Sequence, residues 1–508
     1  MVSILLDGKN LDLPSIISVT CDKSEVGLSE EAKNKVLEAR RIVESLIQQK
    51  KVVYGVSTGF GILCNTIIPQ EKIDELQHNL ILSHAAGVGD LLPEEIVRGI
   101  MLLRANSLCR GNSGIKLETI ETLIEMLNKG VHPIIPEKGS LGASGDLAPL
   151  AHMSLVLLGQ GEAIYQGNRL SGAEALEKAG ITPVKLGAKE GLALINGTQL
   201  MTSFLAHSVH FAKSIVKIAD IACAMTLDAL KGSPDAFDED IHILRPHRGQ
   251  QDSAANLRKL TANSQLTGRS GRVQDPYSIR CAPQVHGASR DALNYVKKVT
   301  EIEINAVTDN PLIFPDKEPP SISGGNFHGQ PLALAADFLG IALAELGNIS
   351  ERRVEHLLNP VLNSPLPPFL IEDSGLNSGL MLAQYTAAAL VSENKLLASP
   401  ASVDSIPTSA NQEDHVSMGA LAARKAYKIL ENLQYILAIE LLCATQALDF
   451  SIQENKEPSP SVKKVWETVR SVVDFRSKDR LMHTDIEKIV ELVRSQKLLE
   501  AVGDIDLR

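Results

Sequence analysis

Positive charge is in deficit in this chain: 50 Lys and Arg stand against 61 Asp and Glu, leaving a net charge of −11. With no dense Lys/Arg run to offset that balance, the sequence lacks the footprint of a nucleic-acid binder. Cysteine is sparse as well. The six, at 21, 64, 109, 223, 281 and 443, are scattered with no C-x-x-C pair, so they read as reduced, mostly buried thiols of a cytoplasmic protein. Met1-Val2-Ser3-Ile4-Leu5-Leu6-Asp7 has no basic region followed by a long apolar run, and no secretory signal is expected. No apolar segment of membrane-spanning length runs free of interrupting charges, so no membrane partner is expected either. Aromatic residues are only 4% of the chain, which leaves the core to aliphatic side chains.

What is present is length and apolar content: 508 residues, 44% of them hydrophobic, enough for a large core and two to four domains. Ile4 to Leu11 reads as a short hairpin around Asp7-Gly8. Ser29, followed by Glu30 and Glu31, caps a helix running to about Lys50. A helical run from about Asp74 closes at Ser83-His84, and His152 to Leu158 reads as a buried helix ended by Gly159 and Gly161. From Thr198 to Lys231 there is neither glycine nor proline, and apolar residues recur at helical spacing. Further long helices are expected from Pro331 to about Leu358, from Leu380 to Leu397 and from Val416 to Phe450. Such Ala- and Leu-rich segments pack best as a bundle with close helix contacts.

The chemistry concentrates in Gly139-Ser140-Leu141-Gly142-Ala143-Ser144-Gly145-Asp146-Leu147-Ala148-Pro149. Taken alone, Ala-Ser-Gly is a common turn sequence. A serine-hydrolase elbow needs G-x-S-x-G, and Asp146 stands where the second glycine belongs. A third reading makes the backbone the reagent. If the Gly145 nitrogen attacks the Ala143 carbonyl carbon, a five-membered ring closes, and loss of two waters, one from the Ser144 hydroxyl, leaves an exocyclic methylene. Gly145 has no Cβ to block that approach, and Asp146 is placed to assist the proton transfers.

Other polar segments punctuate the helices. Tyr54-Gly55-Val56-Ser57-Thr58-Gly59-Phe60-Gly61 is glycine-rich but lacks the Lys-Ser/Thr pair of a phosphate loop, and it presents Tyr54. Asn196 and Gln199 follow an apolar run directly. Gln274, Tyr277 and Arg280 are spaced three apart, which places them on one face of a helical turn, a plausible receiver for a carboxylate. Asp238, Glu239, Asp240 and His242 match no metal-binding spacing and read as a solvated acidic loop. His207 and His210 read as lying on a helix face without metal.

Together these stretches resemble the aromatic amino acid ammonia-lyases. The resemblance runs in order over nearly the whole chain, from Tyr54–Gly61 through Gly139–Pro149, Ile195-Asn196-Gly197, Gln274–Arg280, Thr308-Asp309-Asn310-Pro311 and Gly324–Pro331 to Asn411–Met418. It implies that Ala143, Ser144 and Gly145 form 4-methylideneimidazole-5-one (MIO), with no external cofactor and no metal. It also implies roles: Tyr54 as the base that takes the β-proton, Asn196 as a hydrogen-bond partner of the ring, and Arg280 as the holder of the substrate carboxylate. Tyr277 and Gln274 would complete that side, with Phe327 near the prosthetic group. Phenylalanine and tyrosine lyases resemble one another in carrying Phe-Leu or His-Leu where this chain has Ser83-His84, and an amide where it has Glu413. Both positions favour L-histidine, with trans-urocanate and ammonia as products, the opening step of histidine breakdown. The electrophile can act by alkylating the amine or by engaging the imidazole ring.

The fold so implied is mainly α: an N-terminal, mostly helical domain with short strands and the prosthetic-group turn over residues 1–197, a long-helix bundle over 198–450 and a helical part over 451–508. The resemblance implies a homotetramer with sites assembled from three subunits. An aminomutase using the same group, a phenylalanine or tyrosine lyase, and a non-enzymatic helical scaffold are the alternatives at this point.

Overall fold

The structure is a computed structural model that describes residues 4–453 and 456–508. It is mainly α, and its contacts divide the chain into two compact units. One comprises Met1–His210, Lys297–Asp337 and Pro400–Arg424; the other comprises Phe211–Val296, Phe338–Ser399 and Lys425–Arg508. Four changes from one unit to the other fall inside continuous helices: Gln199–Ala229, Ala282–Glu303, Gln330–Leu358 and Gly419–Gln453.

In the first unit the expected cap of Ser29 is present: its side chain accepts from Ala32 N–H at the start of helix Glu30–Gln48. Ile4–Leu11 is not a hairpin. Strand Ile4–Leu6 pairs in parallel with Val26–Leu28 instead, and the Asp7 carboxylate accepts from the amides of Lys9 and Asn10, turning the chain toward helix Leu13–Thr20. A local Asp-Gly signal cannot distinguish a hairpin turn from this side-chain turn. A tight hairpin does form at Glu162–Tyr165 and Asn168–Ser171, where Gln166 and Gly167 both take positive φ.

Helix Glu94–Cys109 is buried along nearly its whole length, and its polar residues are bonded inside the core. Arg98 donates to Val19 O and Leu127 O, and Asn106 links Gly8 N–H to Ile304 O. His207 is a satisfied core histidine, its ring between Ser203 O and Thr20 Oγ1.

The second unit is built from helices around two buried charge clusters. Glu440 receives Arg353, Ser350 Oγ and Thr226 Oγ1, with Arg353 Nε at 2.5 Å. Asp220 receives Arg290, His286, Ser253 and Asn256. Burial alone would raise the Asp220 carboxyl, but Arg290 and His286 outweigh it and hold it at about 2. The acidic segment near Asp238 is a short helix, Glu239–Ile243, with His242 buried and bonded to Ala236 O and Gln250.

Two helices, Gln330–Leu358 and Gly419–Ile452, are long and apolar enough to cross a membrane by length and composition, though acidic residues interrupt both, Asp337 and Glu345 in the first and Glu440 and Asp449 in the second. Most of each is buried inside the fold. Their hydropathy is that of core helices, apolar on most sides because protein surrounds them. The six cysteines are unpaired: Cys109, Cys223 and Cys443 are buried, and Cys21 is exposed.

Candidate active site

The turn from Gly139 to Asp146 joins strand Pro136–Lys138 to helix Leu147–Leu157. Gly142 and Gly145 both have positive φ, +66° and +74°. A Cβ on Gly145 would lie 2.1 Å from the Gly197 carbonyl oxygen, so the close approach of these two backbones requires glycine there. Gly145 and Gly197 form a parallel bridge, and Asp146 N–H donates to Gly197 O at 2.6 Å. From the other side, Ser417 Oγ donates to Gly142 O and Met418 N–H to Leu141 O, which brings the segment carrying Glu413 against the turn.

Asn196 ends helix Glu190–Ile195, whose first amides, at Gly191 and Leu192, are capped by the buried Gln77 side chain. Its Nδ2 donates to Ser144 O at 2.9 Å, while its Oδ1 is buried without a partner. The Asn196 carbonyl accepts from Arg104, which also binds Gln199 Oε1. Burial brings that guanidinium down to about 10. Beside it, Lys189 and Asp309 form a fully buried ion pair at 2.7 Å.

Asp146 caps the helix Gln199–Ala229 from outside: one carboxylate oxygen accepts from Leu200 and Met201 amides, the other from Ser140 Oγ. Burial pushes its carboxyl up to about 7 despite these three bonds. A carboxyl raised in the folded state contributes stability that is complete below its ordinary value of 3.8 and is lost as pH rises through about 7. Relative to Asp146→Asn, which does not titrate, the parent is expected to lose on the order of 1 kcal/mol per pH unit across that window in urea denaturation. A pH-independent difference between the two would refute this.

A cavity of about 1070 Å³ opens over the turn, lined within the first unit by Tyr54, His84, Ala143, Ser144, Asn196, Phe327 and Glu413 among others. Ser144 Oγ donates to Glu413 Oε1 at 2.5 Å. Tyr54 sits in the glycine-rich loop, its hydroxyl accepting from Gly61 N–H at 3.3 Å. Burial raises its phenol, with the Gly61 bond opposing. His84 is the last residue of helix Ile73–His84, and burial lowers its imidazole, which keeps it neutral at neutral pH. Asn310 Oδ1 accepts from Ser323 Oγ and Gly324 N–H, tying the Thr308–Pro311 loop to the segment that presents Phe327.

Sequence reasoning did not single out His328 and His415, whose rings stack with centroids 5.7 Å apart on the cavity wall. Both lie in stretches that carry the family resemblance, Gly324–Pro331 and Asn411–Met418, and only their placement side by side marks them.

Gln274, Tyr277 and Arg280 belong to the second unit. Only Tyr277 and Arg280 share a helical turn, with the guanidinium 4.6 Å from the ring centre. Gln274 stands outside it, because the helix starts after Pro276 and the residue before a proline is pushed out of the helical region. Tyr277 is 70% exposed. Among the described residues lining the cavity there is no lysine or arginine to receive a carboxylate.

Residues 11–471 match the profile of the aromatic amino acid lyases. The chain is 57% identical over 504 residues to the histidine ammonia-lyase of Alkaliphilus oremlandii, covering 99% of each. Among solved structures it is similar to the histidine ammonia-lyase of Trypanosoma cruzi, with 44% identity, a TM-score of 0.92 and coverage of 99% of this chain and 95% of that one. The tyrosine aminomutase of Streptomyces globisporus aligns over the full length of both chains at 40% identity with a TM-score of 0.95.

Proposed function

The chain belongs to the aromatic amino acid lyase family and is a carbon–nitrogen lyase, and on that premise we propose that it eliminates ammonia from L-histidine to give trans-urocanate, the opening step of histidine breakdown. The observation that carries the choice of substrate is the pairing of Glu413 and His84 in one cavity with Ala143-Ser144. A carboxylate facing an imidazole accepts its N–H or pairs with its cationic form. A phenyl ring there would leave the cavity-facing oxygen of that carboxylate desolvated and unpaired, at a cost of about 1–3 kcal/mol.

Ala143-Ser144-Gly145 suits formation of MIO. The compressed turn admits only glycine at 145, and Asn196 Nδ2 already donates to Ser144 O, the oxygen that would become the ring carbonyl. When formed, that group supplies an electrophile that no ordinary side chain offers. The chain's own residues would do the rest. Tyr54 Oη takes the β-proton as the amine departs as ammonia, and the Gly61 amide stabilises the phenolate it must become. Glu413 Oε1 and neutral His84 orient the substrate ring, and Phe327 closes the wall beside the turn.

The exposed Tyr277 and the Arg280 stacked on it support a homotetramer in which other subunits bring Gln274, Tyr277 and Arg280 to the substrate carboxylate. Phe338, Ile341, Leu382 and Tyr385, all 45% or more exposed on long helices, supply apolar surface for such contacts. The unpaired cysteines accord with a reducing compartment, the cytoplasm.

The test is the ultraviolet absorbance of urocanate after L-histidine is added to the purified protein, with ammonia measured in parallel. Growth of both is expected. Faster turnover of L-phenylalanine or L-tyrosine would overturn the substrate, and accumulation of a β-amino acid would make the chain an aminomutase.

A further inference from the structure

The two oxygens of the Glu413 carboxylate are engaged differently. Oε1 accepts from Ser144 Oγ at 2.5 Å, on the cavity side, and Oε2 accepts from Thr408 Oγ1 at 2.9 Å. Thr408 and Glu413 also exchange both backbone bonds of an antiparallel bridge, Thr408 N–H to Glu413 O at 2.9 Å and Glu413 N–H to Thr408 O at 3.2 Å. The chain between them returns through Ser409, Ala410 and Asn411, with φ of +53°, +52° and +65°. L residues seldom adopt that left-handed conformation, and three in succession persist only where the surroundings hold them. Ser409 lies against the glycine-rich loop: a Cβ on Gly61 would lie 2.8 Å from its hydroxyl. A glutamate side chain has three torsions, so a carboxylate at a cavity wall with no anchor would present either oxygen in several orientations. Here the tight loop and the threonine hydroxyl remove that freedom.

We propose that Thr408 is a positioning residue for substrate selection, whose hydroxyl holds Glu413 Oε2 and so presents Oε1 to the ring N–H of an imidazole side chain. The inference rests on the reading of Glu413 as the acceptor of the substrate ring. Thr408 does not line the cavity and touches the substrate only through Glu413. Without its hydroxyl, Oε2 loses its donor, the carboxylate turns more freely, and an imidazole gains less over a phenyl ring.

Thr408→Val keeps the β-branch and the size of the side chain while removing the donor, and Thr408→Ser keeps the donor. In the assembled enzyme Thr408→Val is expected to raise KM for L-histidine about five- to tenfold, the effect of one hydrogen bond to a charged group at a half-exposed site, with kcat little changed. Thr408→Ser is expected to stay within about twofold of the parent, since it retains that bond. In a Glu413→Gln background the valine substitution should add little, because both changes remove parts of one interaction. An unchanged KM in Thr408→Val, or fully independent effects of the two substitutions, would overturn the proposal. Thermal unfolding of each variant identifies a loss of folding, and Thr408→Ala carries the same comparison should the valine variant not fold. A parent enzyme inactive on L-histidine sinks the functional reading together with this one. An active parent whose KM is untouched by the valine substitution sinks this one alone.

Discussion

Replacing Ser144 by alanine is expected to abolish turnover of L-histidine, by about three orders of magnitude or more, the scale on which loss of an essential reactive group acts. The serine hydroxyl is the oxygen eliminated when the exocyclic methylene forms, and alanine has nothing to lose. The intact mass of the parent should therefore fall two waters short of the mass encoded by its sequence, while Ser144→Ala should show its full encoded mass. The fold should survive, because the hydroxyl donates to Glu413 at the cavity wall and the residue is half-buried. Equal activity in parent and variant, or a parent of full encoded mass that still turns over histidine, would remove the prosthetic group from the proposal. A parent lighter by two waters but idle on histidine would keep the electrophile and discard the substrate.

Tyr54→Phe separates proton transfer from maturation of the turn. The phenol is no part of Ala143-Ser144-Gly145, so the two-water deficit should remain, while kcat falls by about 10²–10⁴, the usual contribution of a positioned general base. KM should change little, since the ring that packs in the loop is retained. The pH profile supplies a second readout. Burial raises the phenol from its ordinary value of 10, so only a small fraction is deprotonated near neutrality and the parent's rate should climb as pH increases. Phenylalanine has no such titration, and the variant should lose that climb. A variant with parental kcat would assign the β-proton to another group.

The long helices were legible because helical periodicity is local. Gln199–Ala229 and Met381–Leu397 fall within a residue or two of where apolar spacing and the absence of glycine and proline put them. The glycine-rich turn was legible for another reason: Ala143-Ser144-Gly145 alone is an ordinary turn sequence, and only its place among the other stretches, in the order of the aromatic amino acid lyases, marks it. Where a local signal suits two structures equally, the sequence points to the wrong one. Asp7-Gly8 suits a hairpin and an aspartate turn equally, and the parallel partner at Val26–Leu28 lies about twenty residues away. The spacing of Gln274 matched its neighbours, yet Pro276 starts the helix beyond it.

By itself, then, the sequence determined the family resemblance and most of the helices, since motif order is written in the chain and propensity, capping and periodicity act over a few neighbours. The tertiary structure alone decided how those residues meet. Asn196 reaches Ser144 across 52 positions, and Ser144 reaches Glu413 across 269. Such pairings are set by packing of whole elements, by a buried carboxylate at Asp146 capping a distant helix and by glycine facing glycine at 145 and 197, none of which leaves a mark in any short stretch of chain.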